Sequence, residues 1–466
     1  MVNQAAKQIA TKGSKTALVQ WIVIVALTAL CLIVPTSELY TYQLKMFMAL
    51  TVFCIAVVAF DTMPILVPCA LLPVGYLLFG VAPIETAFSC WSSSTPWMFL
   101  GVFIFANALT RVGLLERVGY WFLARFGKSY LRVALVILLL GLVLSIALPG
   151  GNAHAPVFFF VLGILQAMGV GKSKDSAFLM VITYLGTWTT MKFIYNPNIA
   201  LVQTCQQAAP TVALGYGSYL YYMLPFVLMI PLVFFVAYRI LKPEGKVPAQ
   251  SYFIDKAKEL GAMTADQKRA AICTAVLLVL VLTTSLHHVS MAWVFFLMGC
   301  FIYFPAIGFG NAEDIRKANW GIVFFVAACI SIGNVGLSVG FNDLIGSALT
   351  PLLSNVSVPV FFLIVLLAGF AAKFLLPPLA VMVIFSATLT PVAVSLGINP
   401  LPVWFAIIIL GNFQILPYQF AAYKFGFSYG LMEQKDYIKI YLAKSLISLV
   451  LTMCVALPWW YFVGLL

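Results

Sequence analysis

Charge is scarce in this chain. Asp, Glu, Lys and Arg together make up 9% of its 466 residues, against 63% hydrophobic, whereas a soluble globule carries about 25% charged residues. A water-soluble fold is therefore excluded. Acidic groups are the rarest charges, 14 in all, and there are 3 histidines. An enzyme site inside the membrane would need a nucleophile beside a base, or a cluster of metal ligands, and the apolar stretches hold no such constellation. The nine cysteines are scattered singly, with no Cys-x-x-Cys pair and no histidine at ligand spacing, which excludes a zinc or redox centre. Also missing is the alternating pattern of a transmembrane barrel. What remains is an all-α polytopic membrane protein, with the lipid bilayer as its solvent and neither a cofactor nor nucleic acid expected as a partner.

The apolar stretches run to the roughly 20 residues that a helix needs to cross the hydrocarbon core, and about eleven of them read as transmembrane helices. Net charge is +12, but the basic residues gather in alternate loops: the N-terminus, Arg111 to Arg132, Lys172 and Lys174, Arg239 to Arg269, Arg316 and Lys317, Lys435 and Lys439. The loops between them hold almost none, only Lys45. Such alternation marks cytoplasmic connections. It places the N-terminus inside and, after an odd number of spans, the C-terminus outside a bacterial inner membrane. The first stretch, from about Ala17 to Val34, follows Lys7, Lys12 and Lys15 like a signal peptide's basic head. No small-residue cleavage site follows it, so a retained first helix is expected.

Helix breakers interrupt two long apolar runs. The first is Pro149-Gly150-Gly151-Asn152-Ala153-His154-Ala155-Pro156; the second, about 225 positions on, is Lys373-Phe374-Leu375-Leu376-Pro377-Pro378. Unwound backbone at membrane depth survives only where protein or an aqueous cavity satisfies its N–H and C=O groups, and paired breaks in two halves point to a transporter's binding site. Read as two re-entrant hairpins that enter and leave on one side, the breaks also explain the charge alternation. Faint internal similarity supports two halves: Leu185-Gly186 recurs as Leu410-Gly411, and Trp97 and Gly113 match Trp320 and Gly340, at offsets of 223 to 227. The expected organisation is a tail and first helix over 1–40, a first inverted repeat over 41–241 with its hairpin near 133–170, a solvated cytoplasmic connector helix over 242–268, and a second repeat over 269–466 with its hairpin near 358–396.

Three lysines stand at membrane depth: Lys192 before the Pro197 break, Lys373 before Pro377, and Lys424 at the end of the apolar run after Gln414. A buried ammonium is costly unless something pairs with it. With carboxylates nearly absent from the spans, an anionic substrate is the natural counter-charge. Along a helix, Lys192 and Asn196 lie one turn apart and share a face. Each residue also has a plainer reading. Lys373 and Lys424 can snorkel to an interface, Lys192 can serve structural pairing, and His154 and Asn152 can cap carbonyls at the first hairpin tip.

The run Ser92-Ser93-Ser94-Thr95-Pro96-Trp97, the stretch Leu109-Thr110-Arg111-Val112-Gly113-Leu114, the tip Gly151-Asn152-Ala153, the pair Pro197-Asn198 and the ending Lys435-Asp436-Tyr437 stand in a familiar order. It is that of the divalent anion:sodium symporter family, which the chain resembles over nearly its whole length, and whose bacterial carboxylate branch it resembles most. The resemblance implies a homodimeric elevator-type carrier of small organic anions such as di- and tricarboxylates, or of sulfate. It also implies that substrate and sodium are held between two hairpin tips and two unwound helices. Carried onto this sequence, the site takes in Gly151, Asn152, Ala153 and His154 at the first tip, and Lys192, Asn196, Pro197 and Asn198 at the first unwound helix. Lys373, Pro377 and Pro378 fall at the second tip, and Gln419 and Lys424 at the second unwound helix.

The departures from the family pattern set the expected coupling. Of the Ser-Asn-Thr signature only Asn152 remains at the first tip, and the second tip, Pro377-Pro378-Leu379 or Leu379-Ala380-Val381 in a shifted alignment, has lost its hydroxyl and amide groups. The Thr-Pro-Pro-Asn turn reads Tyr195-Asn196-Pro197-Asn198, and its second copy has become Phe420-Ala421-Ala422-Tyr423. With hydroxyls lost and lysines gained, the expected protein is a sodium-independent anion exchanger. A sodium- or proton-coupled symporter, an anion channel and a non-transporting receptor are the alternatives.

Overall fold

The computed structural model describes residues 14–60, 62–148, 153–167, 169–194, 199, 214, 216–245, 248–305, 307–341, 343–344, 356–374, 378–411, 413–416, 419 and 429–466. Every regular element among them is helical. Before the connector the principal helices are α1 (Ser14–Ile33), α2 (Tyr42–Phe60), α3 (Leu66–Leu78), α4 (Ser94–Val112), α5 (Leu114–Phe126), α6 (Tyr130–Ala147), α7 (His154–Ala167), α8 (Lys174–Trp188) and α9 (Met229–Leu241). Within the connector lies α10 (Gln250–Glu259). After it come α11 (Ala265–Leu282), α12 (Met291–Phe301), α13 (Trp320–Ser338), α14 (Val358–Ala372), α15 (Pro378–Ser395), α16 (Pro400–Leu410), α17 (Gln434–Leu451) and α18 (Leu457–Phe462). Five stretches, α2, α4 and α13 among them, are long and apolar enough to cross a membrane, and eight shorter apolar helices accompany them. Helices suit such sequences because they satisfy every backbone group without water.

Packing sorts these helices into two groups. In one, α2, α3, α4, α12 and α13 pack among themselves. In the other, α6 to α9 pack together and α17 lies along α9. A cluster of α14, α15 and α16 joins the second group through Phe362 and Phe405, whose rings meet Trp460. Each group thus draws on both sides of the connector. Between helices in lipid the hydrophobic effect is weak, so close crossings rely on small residues. A Cβ on Gly299 of α12 would stand 2.7 Å from Gly101 Cα of α4, and a Cβ on Gly186 of α8 would stand 2.7 Å from the Leu138 carbonyl oxygen of α6. No larger residue fits either crossing without moving a helix.

α4 and α13 are alike in more than length. α4 carries Trp97 in its first turn and stops at Gly113, φ 75°; α13 starts at Trp320 and stops just before Gly340, φ 78°. Both turns need the left-handed conformation that glycine adopts without a Cβ penalty. The sequence offset therefore pairs helix start with helix start and left-handed turn with left-handed turn.

The connector helix keeps Asp255, Lys258 and Glu259 exposed and docks by its other face. α10 docks along α5 with Phe253 fully buried. Arg117 of α5 donates to the carbonyls of Leu260 at 2.6 Å and Gly261 at 2.7 Å, and to Gln267 Oε1 at 2.8 Å. Gln267 also closes a capping box with Thr264 that starts α11. The connector's own composition could not show this, because the group that binds it lies 143 residues upstream of Leu260.

Candidate functional site

Two interrupted segments converge on α17. In the first, α8 ends at Trp188 and the chain tightens into a 3-10 turn over Thr189–Lys192. Lys192 is 0% exposed, and its Nζ donates to Ser448 Oγ of α17 at 3.5 Å. The carbonyls of Met191 and Lys192 accept from the Tyr219 hydroxyl, each at 3.2 Å. In the same turn the Thr189 hydroxyl is buried and has no partner among the described residues, a condition that in native proteins points to water or ligand. His154, the first residue of α7, is buried with Nδ1 2.9 Å from Thr187 Oγ1. Because the Thr187 hydroxyl donates to the Thr183 carbonyl, Nδ1 carries the proton in this pair.

In the second segment Lys373 caps α14, is 1% exposed, and donates from Nζ to the Gly411 carbonyl at 3.1 Å. Gln414 Nε2 donates to the same oxygen at 2.8 Å. Gln419 Nε2 donates to the Lys373 carbonyl, and its Oε1 accepts from the backbone N–H of Ile415 and Leu416. Gln419 therefore staples the loop after α16 to the end of α14.

A lysine absent from the sequence reading links the two. Lys444 of α17, 2% exposed, donates to the Tyr184 hydroxyl at 3.2 Å and stands over the rings of Tyr184 and Tyr441, 4.5 and 5.3 Å from their centroids. Tyr184 donates in turn to Gln414 Oε1, and Ser445, whose hydroxyl donates to the Tyr441 carbonyl at 2.8 Å, has its Oγ 3.3 Å from the Gln414 carbonyl oxygen. Through Gln414 and the Gly411 carbonyl this network reaches Lys373, and one turn along α17 Ser448 accepts from Lys192. Among the described residues no carboxylate forms an ion pair with Lys192 or Lys373. Lys444 does carry a sequence signal. Tyr441, Lys444, Ser445, Ser448 and Thr452 recur at helical spacing inside an apolar run, one polar stripe on one face.

The expected site residues divide accordingly. Lys192, Lys373 and Gln419 gather around α17 and the loop after α16, and His154 joins through its ring contact with Tyr184. Ala153 is buried beside His154, and Pro378, half-buried, opens α15. Gly151, Asn152, Asn196, Pro197, Asn198, Pro377 and Lys424 lie outside the described residues. The shared α-helical face of Lys192 and Asn196 is not the local geometry at Lys192, since the α-helix has already given way to a 3-10 turn. Between α4 and α5 on one side and α7 on the other is a cavity of about 520 Å³, lined by Asn107, Thr110, Glu116, Tyr120, Pro156 and Phe159 among others.

Apolar spans, interrupted helices and buried ammonium groups define a polytopic membrane transporter, not an enzyme. The fold is that of a solved carrier: the crystal structure of the Alcanivorax borkumensis YdaH transporter superposes with a TM-score of 0.54 at 14% identity, covering 81% of this chain and 87% of that one. Residues 15–466 match the family described as the sodium:sulfate symporter transmembrane region, and the chain belongs to that family. It is 22% identical over 417 residues to the L-tartrate/succinate antiporter of Escherichia coli (strain K12), covering 82% of this chain and 81% of that protein. It is also 22% identical over 383 residues to the "Putative malate transporter YflS" of Bacillus subtilis (strain 168), covering 77% and 78% respectively.

Proposed function

We propose that this protein exchanges small di- or tricarboxylate anions across a bacterial inner membrane without sodium. One observation carries the reading. Lys192 and Lys373, contributed from opposite sides of the connector, are buried, one bonded to α17 and the other to the loop that meets it, and among the described residues no carboxylate is paired with either. An empty site of this kind drags uncompensated charge through a low-dielectric region, while bound carboxylates cancel it. Only the loaded form then crosses readily, and the outcome is exchange. The names of the relatives, a tartrate/succinate antiporter and a malate transporter, agree with the substrate class. A cluster of ammonium groups also repels a sodium ion, because like charges at short range disfavour one another.

The two packing groups supply moving parts for an elevator cycle in which α6 to α9 and α14 to α17 carry the anion past α2 to α4, α12 and α13. A homodimer, inverted repeats with the boundaries given above, a cytoplasmic N-terminus and an external C-terminus complete the proposal. A proton-coupled cycle is the second reading, favoured by the buried imidazole of His154 beside this site. The deciding measurement is uptake of labelled succinate or tartrate into liposomes preloaded with unlabelled anion or left empty, with and without sodium. Preloading should raise the initial rate at least tenfold and sodium should leave it unchanged. Equal rates in the two sets of vesicles would eliminate exchange.

A further inference from the structure

Away from the buried lysines, a groove of about 540 Å³ runs between α11 and α12. Its floor includes Cys273 and Met298, both buried, and its rim is made by Ile272, Val276, Leu297 and Phe301, all exposed. Arg269 stands at one end and is the last charged residue before α11 turns apolar, which sets its head group at the membrane edge. The guanidinium is 44% exposed and loosely held: Nη1 lies 3.4 Å from Asp266 Oδ1 and 3.4 Å from the Gly308 carbonyl oxygen, and among the described residues Nε and Nη2 have no acceptor. From Arg269 to Leu280 the groove follows α11 for about 16 Å at 1.5 Å per residue. That is about one leaflet of a hydrocarbon core about 30 Å thick.

We propose that this groove binds an anionic phospholipid, with one acyl chain lying between α11 and α12 and the phosphodiester on the Arg269 guanidinium. Inside a bilayer, lipid tails are as apolar as the groove, so apolar walls alone select no occupant. Selection has to come from the end that carries charge. A guanidinium fork matches two phosphate oxygens at once, and Arg269 has donors to spare for them. Asp266, half exposed, is the carboxylate beside it, and the exposed Lys268 stands next to it in sequence, so the three together leave one positive charge at the mouth. Basic pockets of this kind between membrane helices suit anionic head groups. The assignment is independent of which anion the protein carries.

The test uses the purified full-length protein in detergent micelles and phosphatidylglycerol with a photoactivatable diazirine in one acyl chain, the cross-linked peptides being mapped by mass spectrometry. Cross-links should fall within residues 269–280 and 294–301. Unlabelled phosphatidylglycerol should suppress them, whereas diacylglycerol of the same chains and inorganic phosphate, each half of the ligand, should not. Arg269→Gln should weaken labelling roughly tenfold, the loss expected with a charge-assisted hydrogen bond, and Val276→Trp, which fills the groove from its exposed rim, should abolish it. Cross-links spread over many helices, diacylglycerol competing as well as phosphatidylglycerol, or an Arg269→Gln protein labelled like the parent would each overturn the assignment. Labelling of these residues confined to a monomer fraction would overturn it too, by making the groove an interface between copies of this chain. Should the tryptophan variant not fold, the Arg269→Gln comparison decides alone.

Discussion

Arg111 and Lys192 both close apolar helices, and their surroundings are opposite. The Arg111 side chain is 35% exposed and forks onto Asp314, whose side chain is 3% exposed, with Nε 2.9 Å and Nη2 2.8 Å from its two oxygens. Lys192 is fully buried, and among the described residues the side-chain group it reaches is a serine hydroxyl. Near the edge of the membrane the chain supplies both members of the pair. In the interior, on the reading proposed above, it supplies the cation and leaves the anion to come from elsewhere. On the proposed reading, a charge that must stay in place is cancelled by an ion pair within one polypeptide, whereas a charge that must respond to a visitor is left for the visitor to cancel.

That contrast can be broken by mutation. The largest effect is expected at Lys192→Ala: loss of a charge-assisted hydrogen bond, worth about 1.5–3 kcal/mol, should weaken carboxylate binding by roughly ten- to a hundredfold. The melting temperature of the empty protein should hold or rise, because a buried ammonium has been removed. Calorimetry and a thermal melt on one preparation check both, and unchanged affinity would take Lys192 out of the site. Arg111→Ala should do the reverse. It strands a buried Asp314 and should cost about 2 kcal/mol of stability, less than the 3–5 kcal/mol of a fully buried pair, because Arg111 is partly solvated, and anion affinity should stay within twofold. A smaller change is expected at Glu433, a half-buried residue at the head of α17 whose carboxyl the neighbouring Lys435 ammonium holds below its usual range. Since the folded value lies below the unfolded one, the pair's contribution is present above the unfolded value and fades as pH falls through the folded one. Glu433→Gln should therefore melt slightly below the parent at neutral pH, and the two curves should converge in acid. A gap that widens on acidification would contradict that sign.

Fold class was legible because hydropathy, charged loops and helix breakers are local signals, and the family because short motifs such as Ser92–Trp97 and Leu109–Leu114 stand in its order. The cationic site was only partly so. Lys373 and Lys192 stand out beside proline breaks, but Lys444 follows Lys435 and Lys439 and so reads as part of a basic cytoplasmic helix start. Its neighbours at helical spacing held the clue. The 3-10 turn at Lys192 was out of reach, since Tyr219, far along the chain, bonds to the carbonyls that a continuing α-helix would have used itself. Gln419 offers a similar lesson: both ends of its amide are engaged with backbone, one of them 46 residues away at Lys373. A polar residue near a break can hold the break's frame, and only its partners reveal that.

The grip of Arg117 on the connector bears on how the molecule is made. A nascent chain emerges from its N-terminus, so α5 is in place before residues 260–267 have emerged from the ribosome. When they do, the carbonyls of Leu260 and Gly261 and the side chain of Gln267 settle on one guanidinium. The start of α11 can then be moored beside α5 before α13 to α18 have emerged. The later half is threaded from a point that the earlier half has already chosen.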